Sequence, residues 1–177
     1  MRIGVIGAMQ MEVDNLKAVM EDVTTETYSG VEFVSGKYAN KDVVVAKCGI
    51  GKVFAAICAE AMILKFDVDK IINIGVAGSL TKDLGVLDVA VANNVVQHDM
   101  DTSPLGDPVG LLSGINMVTL DADKDMNVLL CDCLSDKGIK FKKGTIATGD
   151  QFVATKEQKD RITGMFDAIA AEMEGGS

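Results

Sequence analysis

The sequence predicts a three-layer α/β domain, with helices on both faces of a mixed, mostly parallel central sheet, and three observations carry that expectation. Short apolar runs alternate with helical patterns along the chain, the runs are continuously apolar, and glycine marks their ends. A continuously apolar strand is covered on both faces, which calls for helices above and below the sheet. With 177 residues, 48% of them hydrophobic, and two prolines, the chain has the material for one domain spanning 1–177.

The elements follow in chain order. "RIGVIGA" is the first strand, and "MQMEVDNLKAVMED" spaces Met11, Leu16, Val19 and Met20 as a helix would. The β-branched runs "VEFVSGKY" and "DVVVAKC", separated by "ANK", predict a hairpin, which makes the sheet mixed. "GIGK" then opens the helix "VFAAICAEAMILKF", whose alanines and long apolar residues suit close packing on a sheet. "KIINIGVAG" and "DVAVANNVV" are buried strands, and "QHDMDTSPLGDPVG" is polar and too long for a simple connection. "DADKDMNVLLCDCLSDKG" is a helix with an acidic start and a glycine stop. Strand "FKKGTIATG", helix "TKEQKDRITGMF" and strand "AIAAEME" complete the order.

Composition excludes several classes of partner. A formal charge of −9, from 26 acids against 17 bases, repels nucleic acid and anionic membranes, and the lysines form no patch. A small-molecule or protein partner fits better. No run of about 18 uncharged apolar residues occurs, and the start lacks the order of basic region, apolar core and cleavage site. A cytoplasmic location is expected. Cys48, Cys58, Cys131 and Cys133 contain no CxxC pair, which predicts reduced, mostly buried thiols. The lone His98, in "QHDMD", has no recognisable ligand spacing, so a hydrogen-bonded loop histidine is expected and no metal site.

In such sheets, chemistry is sought where strands end and loops begin. Those ends carry "GAMQMEV", "CGIGK", "GVAGS", "TGDQF" and "EMEG". Singly they are weak signals, because none is a GxGxxG fingerprint or a phosphate-binding GxxxxGK loop. Taken in order, "IGVIGAMQMEV", "CGIGKVFAA", "IINIGVAGSL", "DVAVANNVVQHD", "ATGDQFV" and "AAEMEG" resemble the 5'-methylthioadenosine/S-adenosylhomocysteine nucleosidases of the purine nucleoside phosphorylase superfamily. The resemblance covers essentially the whole chain.

That resemblance implies a nucleoside phosphorylase-like fold, a homodimer, no cofactor, and hydrolysis that releases adenine from the nucleoside. Glu12 matches the acid that orients and activates water, and Met9 a residue lining the pocket near the sugar. Phe152 matches the aromatic that stacks on adenine, and Val153 the position whose backbone pairs with the base. Met173 packs on the ribose and Glu174 holds its hydroxyls, with Glu172 placed in the same substrate-binding set. Val76, placed in the same substrate-binding set, falls where some relatives carry a serine near the water, and its apolar side chain leaves that contact unassigned.

The residue types fit that chemistry. Glycosidic cleavage passes through a cationic sugar, so nearby carboxylates bind hydroxyls and stabilise the developing charge. A flat apolar base wants an aromatic face and a few backbone hydrogen bonds. Plainer readings stand beside these roles: Glu12 as an acid favoured by the helix dipole, Glu172 and Glu174 as solvated acids, and Phe152 as core packing.

Two other functions are open. A phosphorylase on the same fold needs guanidinium anchors for phosphate, and only Arg2 and Arg161 exist, neither in a suitable loop. The third reading is a catalytically weak nucleoside-binding fragment. Family members continue past "EMEG" to an aspartate that protonates departing adenine, and none follows Glu174 here. A missing general acid removes on the order of 10² to 10⁴ in rate. The 177-residue chain is accordingly expected to be C-terminally incomplete, poorly stable and slow to release adenine. In "TSPLGDPVG", Leu105 and Asp107 stand where many members carry aromatic residues, which leaves the 5' substituent open between methylthio and homocysteinyl groups.

Overall fold

The computed structural model describes residues 1–177, which divide into two compact units, 1–76 with 177, and 77–176. In the first unit, β1 (Arg2–Gly7), β2 (Glu21–Tyr28), β3 (Val31–Tyr38), β4 (Lys41–Lys47) and β5 (Lys70–Asn73) form a sheet in the order β2-β3-β4-β1-β5. β1 is parallel to both β4 and β5, whereas β3 runs antiparallel to β2 and β4. The β3–β4 turn is the expected hairpin, with Ala39 and Asn40 both at positive φ, 47° and 60°. Two successive residues of that kind give the turn the twist a two-residue hairpin needs.

Alternation along the strands produces the layers. On one face, Ile6, Phe33, Val44 and Ala46 pack against Ala55, Cys58, Met62 and Phe66 of α2 (Lys52–Phe66). On the other, Val5, Val34, Val43 and Val45 pack with Val13 of α1 (Gln10–Lys17) and with Met20. Both faces of β1 and β4 are thus apolar, which is why their sequences read as unbroken runs. Phe33 is fully buried and its ring centroid lies 5.0 Å from that of Phe66, which itself meets Tyr28 edge-on at 5.7 Å. Removing a ring from so closed a core typically costs about 3–5 kcal/mol.

The second unit has the order β6-β10-β9-β7-β8, from β6 (Gly78–Ser79), β7 (Val89–Gln97), β8 (Thr119–Asp121), β9 (Phe141–Thr148) and β10 (Ala168–Glu172). β7, β9 and β10 are parallel, and β6 and β8 close the edges antiparallel. Ile162 of α4 (Lys156–Phe166) joins Val96, Ala147 and Ala168, while Ile169 and Ala170 face Leu84. α3 (Lys124–Asp136) starts on Asp123, which accepts the Met126 N–H at 2.9 Å, and Asn127 Nδ2 donates to the Ala92 carbonyl at 2.7 Å. No helix in either unit is long and apolar enough to cross a membrane.

Several elements differ from the sequence expectation. The first helix ends at Lys17 rather than running to residue 22, because Met20 turns into the core from a connection and Glu21 already begins β2. β2 is an exposed edge strand with no apolar face, so no hydrophobic pattern announces it. β8 is three residues long and hides in the same way. Of the four thiols only Cys48 and Cys58 are buried; Cys131 is half-buried and Cys133 exposed, so "mostly buried" holds for half of them.

Burial, with Cys48 nearby, pushes the Cys58 thiol up from 9.0 to about 12. The unfolded thiol ionises first, so this contribution to stability is complete below pH 9.0 and drains away as pH rises toward about 12. Melting temperature measured against pH should fall on the alkaline side more steeply for the wild type than for Cys58→Ala. Parallel curves for the two proteins would contradict the assignment.

Candidate active site

Glu12 is the third residue of α1, and its carboxylate is held from two directions. Oε2 accepts the Met9 backbone N–H at 2.9 Å, the reach-back bond that satisfies an orphan donor at a helix start. Oε1 accepts the Val76 backbone N–H at 3.1 Å, from a residue 64 positions later. The second bond is not helix capping: it ties the start of α1 to the segment leaving β5. β1 and β5 are parallel neighbours, with Ile6 opposite Asn73, so the loops after them emerge at the same sheet edge.

Gly75 makes room for this contact. A Cβ there would lie 2.7 Å from Glu12 Oε1, closer than non-bonded atoms approach. Val76 is 72% exposed as a residue, and the position contributes a backbone donor to Glu12. Met9, Glu12 and Val76 are therefore brought together within the first unit.

In the second unit, Glu172 ends β10 and its carboxylate organises the turn that follows. Its Oε2 accepts the N–H groups of Glu174 at 2.9 Å and Gly175 at 2.7 Å, and Oε1 accepts the Thr148 hydroxyl. Met173 and Glu174 sit half-buried in that turn. Phe152 lies beyond β9 with 82% of its surface exposed, which excludes the core-packing reading of this ring. Val153, the next residue, is half-buried and packs on the cluster containing Val96, Ala147 and Ile162. The loop carrying both is tied down by the Asp150 N–H, which donates to Asp99 Oδ2 at 2.8 Å.

His98, expected as a hydrogen-bonded loop histidine, is buried, with 1% of its surface exposed. Its ring fills the space beside Gly149, where a Cβ would come within 2.3 Å of Nε2. A Cβ at that distance collides with the ring, so the glycine of "ATGDQFV" is a packing requirement of the buried imidazole. Sequence reading singled out neither Gly75, Thr148 nor Asp99 for a role at the site, since glycine is common in turns and a threonine or aspartate at a strand end is unremarkable. The only available signal was their position at strand ends.

Residues 2–177 match the family model described as the phosphorylase superfamily. The chain belongs to the phosphorylase superfamily. This superfamily member is 38% identical over 177 residues to an aminodeoxyfutalosine nucleosidase of Helicobacter pylori, the match covering 99% of the chain and 76% of that relative. A 5'-methylthioadenosine/S-adenosylhomocysteine nucleosidase of Shewanella loihica is 35% identical over 179 residues, covering 100% of this chain and 77% of its own. Among solved structures, a mutant Helicobacter pylori nucleosidase with 5'-methylthioadenosine in its active site superposes with a TM-score of 0.95 at 39% identity, covering 99% of this chain and 76% of that one. The Streptococcus pyogenes S-adenosylhomocysteine nucleosidase in complex with 5-methylthiotubericidin gives 0.95 at 31%, covering 99% and 74%. The three-layer fold expected from the strand and helix pattern is the fold of these relatives.

Gly75→Ala should leave the superfamily member folded, because the atom met is the mobile end of a side chain, but it should push the Glu12 carboxylate off the Val76 N–H. The amide resonance of Val76 is expected to move in Gly75→Ala and in Glu12→Gln alike, with a stability loss of about 1 kcal/mol. A Val76 amide that is unchanged in Gly75→Ala would show that the glycine does not set the contact.

Proposed function

We propose that this superfamily member is a nucleosidase that hydrolyses the N-glycosidic bond of 5'-methylthioadenosine and S-adenosylhomocysteine. The observation that carries the reading is the Glu12 carboxylate, fixed by the N–H groups of Met9 and Val76 at the end of a parallel strand. The carbon–nitrogen bond breaks with its electron pair passing to adenine, which takes up a proton from solvent as it leaves, and the sugar becomes cationic. Glu12 orients a water toward that carbon and takes its proton as the new carbon–oxygen bond forms. Glu174 holds the ribose hydroxyls, Met173 and Met9 pack on the sugar, Phe152 stacks on the base and the Val153 backbone pairs with it. Fixed polar groups of this kind stabilise the transition state without reorganising when the charge develops.

A phosphate nucleophile is disfavoured by what the arginines do. Arg2 Nη1 donates to the Phe66 carbonyl at 2.6 Å, and Arg161 lies within α4, Lys156–Phe166. A second substrate reading, cleavage of an aminodeoxyfutalosine-type nucleoside, is favoured by the relatives named for that activity at 38% identity. One nucleosidase-like domain comprising residues 1–177, a cytoplasmic location and a part in recovering methionine from methylthioadenosine complete the reading.

Assembly as a homodimer is part of it. α2 is apolar nearly all round: Ala55, Cys58, Met62 and Phe66 face the core, while Val53, Phe54 and Leu64 remain exposed. An exposed row of this kind marks an association surface. Sedimentation equilibrium should give the mass of two chains, reduced to one in Phe54→Glu; a wild-type mass of one chain would contradict the dimer.

Product analysis tests the chemistry. Incubation with methylthioadenosine should give adenine and the free sugar whether or not phosphate is present, and Glu12→Gln should stop this while still binding an adenosine analogue. A phosphate-dependent sugar phosphate would establish the phosphorylase. Binding without adenine release, in either condition, would establish the nucleoside-binding fragment.

A further inference from the structure

We infer that Thr148 and Glu172 are positioning residues that set the place of Glu174, and that Glu172 serves the backbone rather than the substrate. The inference rests on the proposed role of Glu174 as the ribose-hydroxyl ligand, and reassigns its neighbour. Glu172 ends the strand at the point where the following turn has N–H groups to satisfy. Its Oε2 accepts two of them, from Glu174 at 2.9 Å and from Gly175 at 2.7 Å. A carboxylate that accepts successive backbone N–H groups fixes the conformation of the residues that donate them. The turn that presents Glu174 is therefore shaped by the side chain two positions before it.

Thr148 holds that carboxylate in turn. It is fully buried, and its hydroxyl donates to Glu172 Oε1. Parallel register puts Thr148 opposite Glu172 on one side and Gln97 on the other. Its carbonyl accepts the His98 N–H at 2.9 Å, and Gly149 N–H donates to the Glu172 carbonyl at 3.2 Å. The same edge is closed by Gln97, whose Nε2 donates to the Gly176 carbonyl at 2.7 Å. Backbone, hydroxyl and carboxylate thus fix one another from three adjacent strands. A buried hydroxyl in this arrangement has a defined acceptor, and replacing it with an isosteric methyl leaves the carboxylate short of a donor.

The test compares Thr148→Val and Thr148→Ser with the wild type, measuring affinity for an adenosine analogue and for the same analogue lacking its 2'-hydroxyl. In the wild type the hydroxyl should improve binding, and Thr148→Val should reduce that advantage by about tenfold. Thr148→Ser, which retains the donor, should restore it. The amide resonances of Glu174 and Gly175 should move in Thr148→Val and stay near wild-type positions in Thr148→Ser. A hydroxyl advantage that persists undiminished in Thr148→Val overturns the inference. A wild type that binds both analogues equally overturns instead the assignment of Glu174 to the ribose. Should Thr148→Val fail to fold, Glu172→Gln supplies the same comparison, since its amide can accept only through one oxygen.

Discussion

The Glu12 carboxylate, shared between the N–H of Met9 and that of Val76, is the contact on which the arrangement at the first unit's strand ends depends. Helix capping explains one of the two bonds and would be served by many acids at a first turn. The other joins chain segments 64 residues apart and exists because β1 and β5 run parallel side by side. Parallel strands bring the loops after them to the same edge, and there an acid on one loop meets an N–H on the next. Topology, register and the absence of a Cβ at Gly75 all converge on the position of two oxygen atoms.

The second unit repeats the device with a different purpose. β7, β9 and β10 are also parallel, and their ends bring Gln97, Thr148 and Glu172 into line. Here one carboxylate oxygen accepts the turn's own N–H groups, from Glu174 and Gly175, and the other accepts the Thr148 hydroxyl. Two acids separated by one residue can therefore have separate duties. Sequence alone treats them alike, as a pair of carboxylates at a strand end.

What was legible in the sequence is what hydrophobic patterning encodes. The buried parallel strands β1, β4 and β10, the hairpin at Ala39–Asn40 and the helix after "GIGK" announce themselves because apolar periodicity and turn chemistry agree there, whereas β5 stops at Asn73 and has no buried residue. β2 and β8 were invisible for the opposite reason: one has no buried face, and the other is too short to show a period. The overlong first helix came from Met20, an apolar residue whose spacing suited a helix but which enters the core from a connection. At the site, motif order pointed to Glu12, Phe152 and Glu174, whereas their supports were silent. Gly75, Gly149, Thr148 and Asp99 act through close approach or a single hydrogen bond to a distant backbone, and neither leaves a pattern along the chain.

The central claim is that Glu12 is held in place to orient a water toward the sugar. A crystal structure of the protein with a non-hydrolysable adenosine analogue tests it most directly. The account predicts an ordered water within about 2.6–3.2 Å of the Glu12 carboxylate, on the face of the sugar opposite the base, with the Val76 N–H bond intact. A phosphate ion bound in that place, or a Glu12 carboxylate turned away from the sugar, would contradict it.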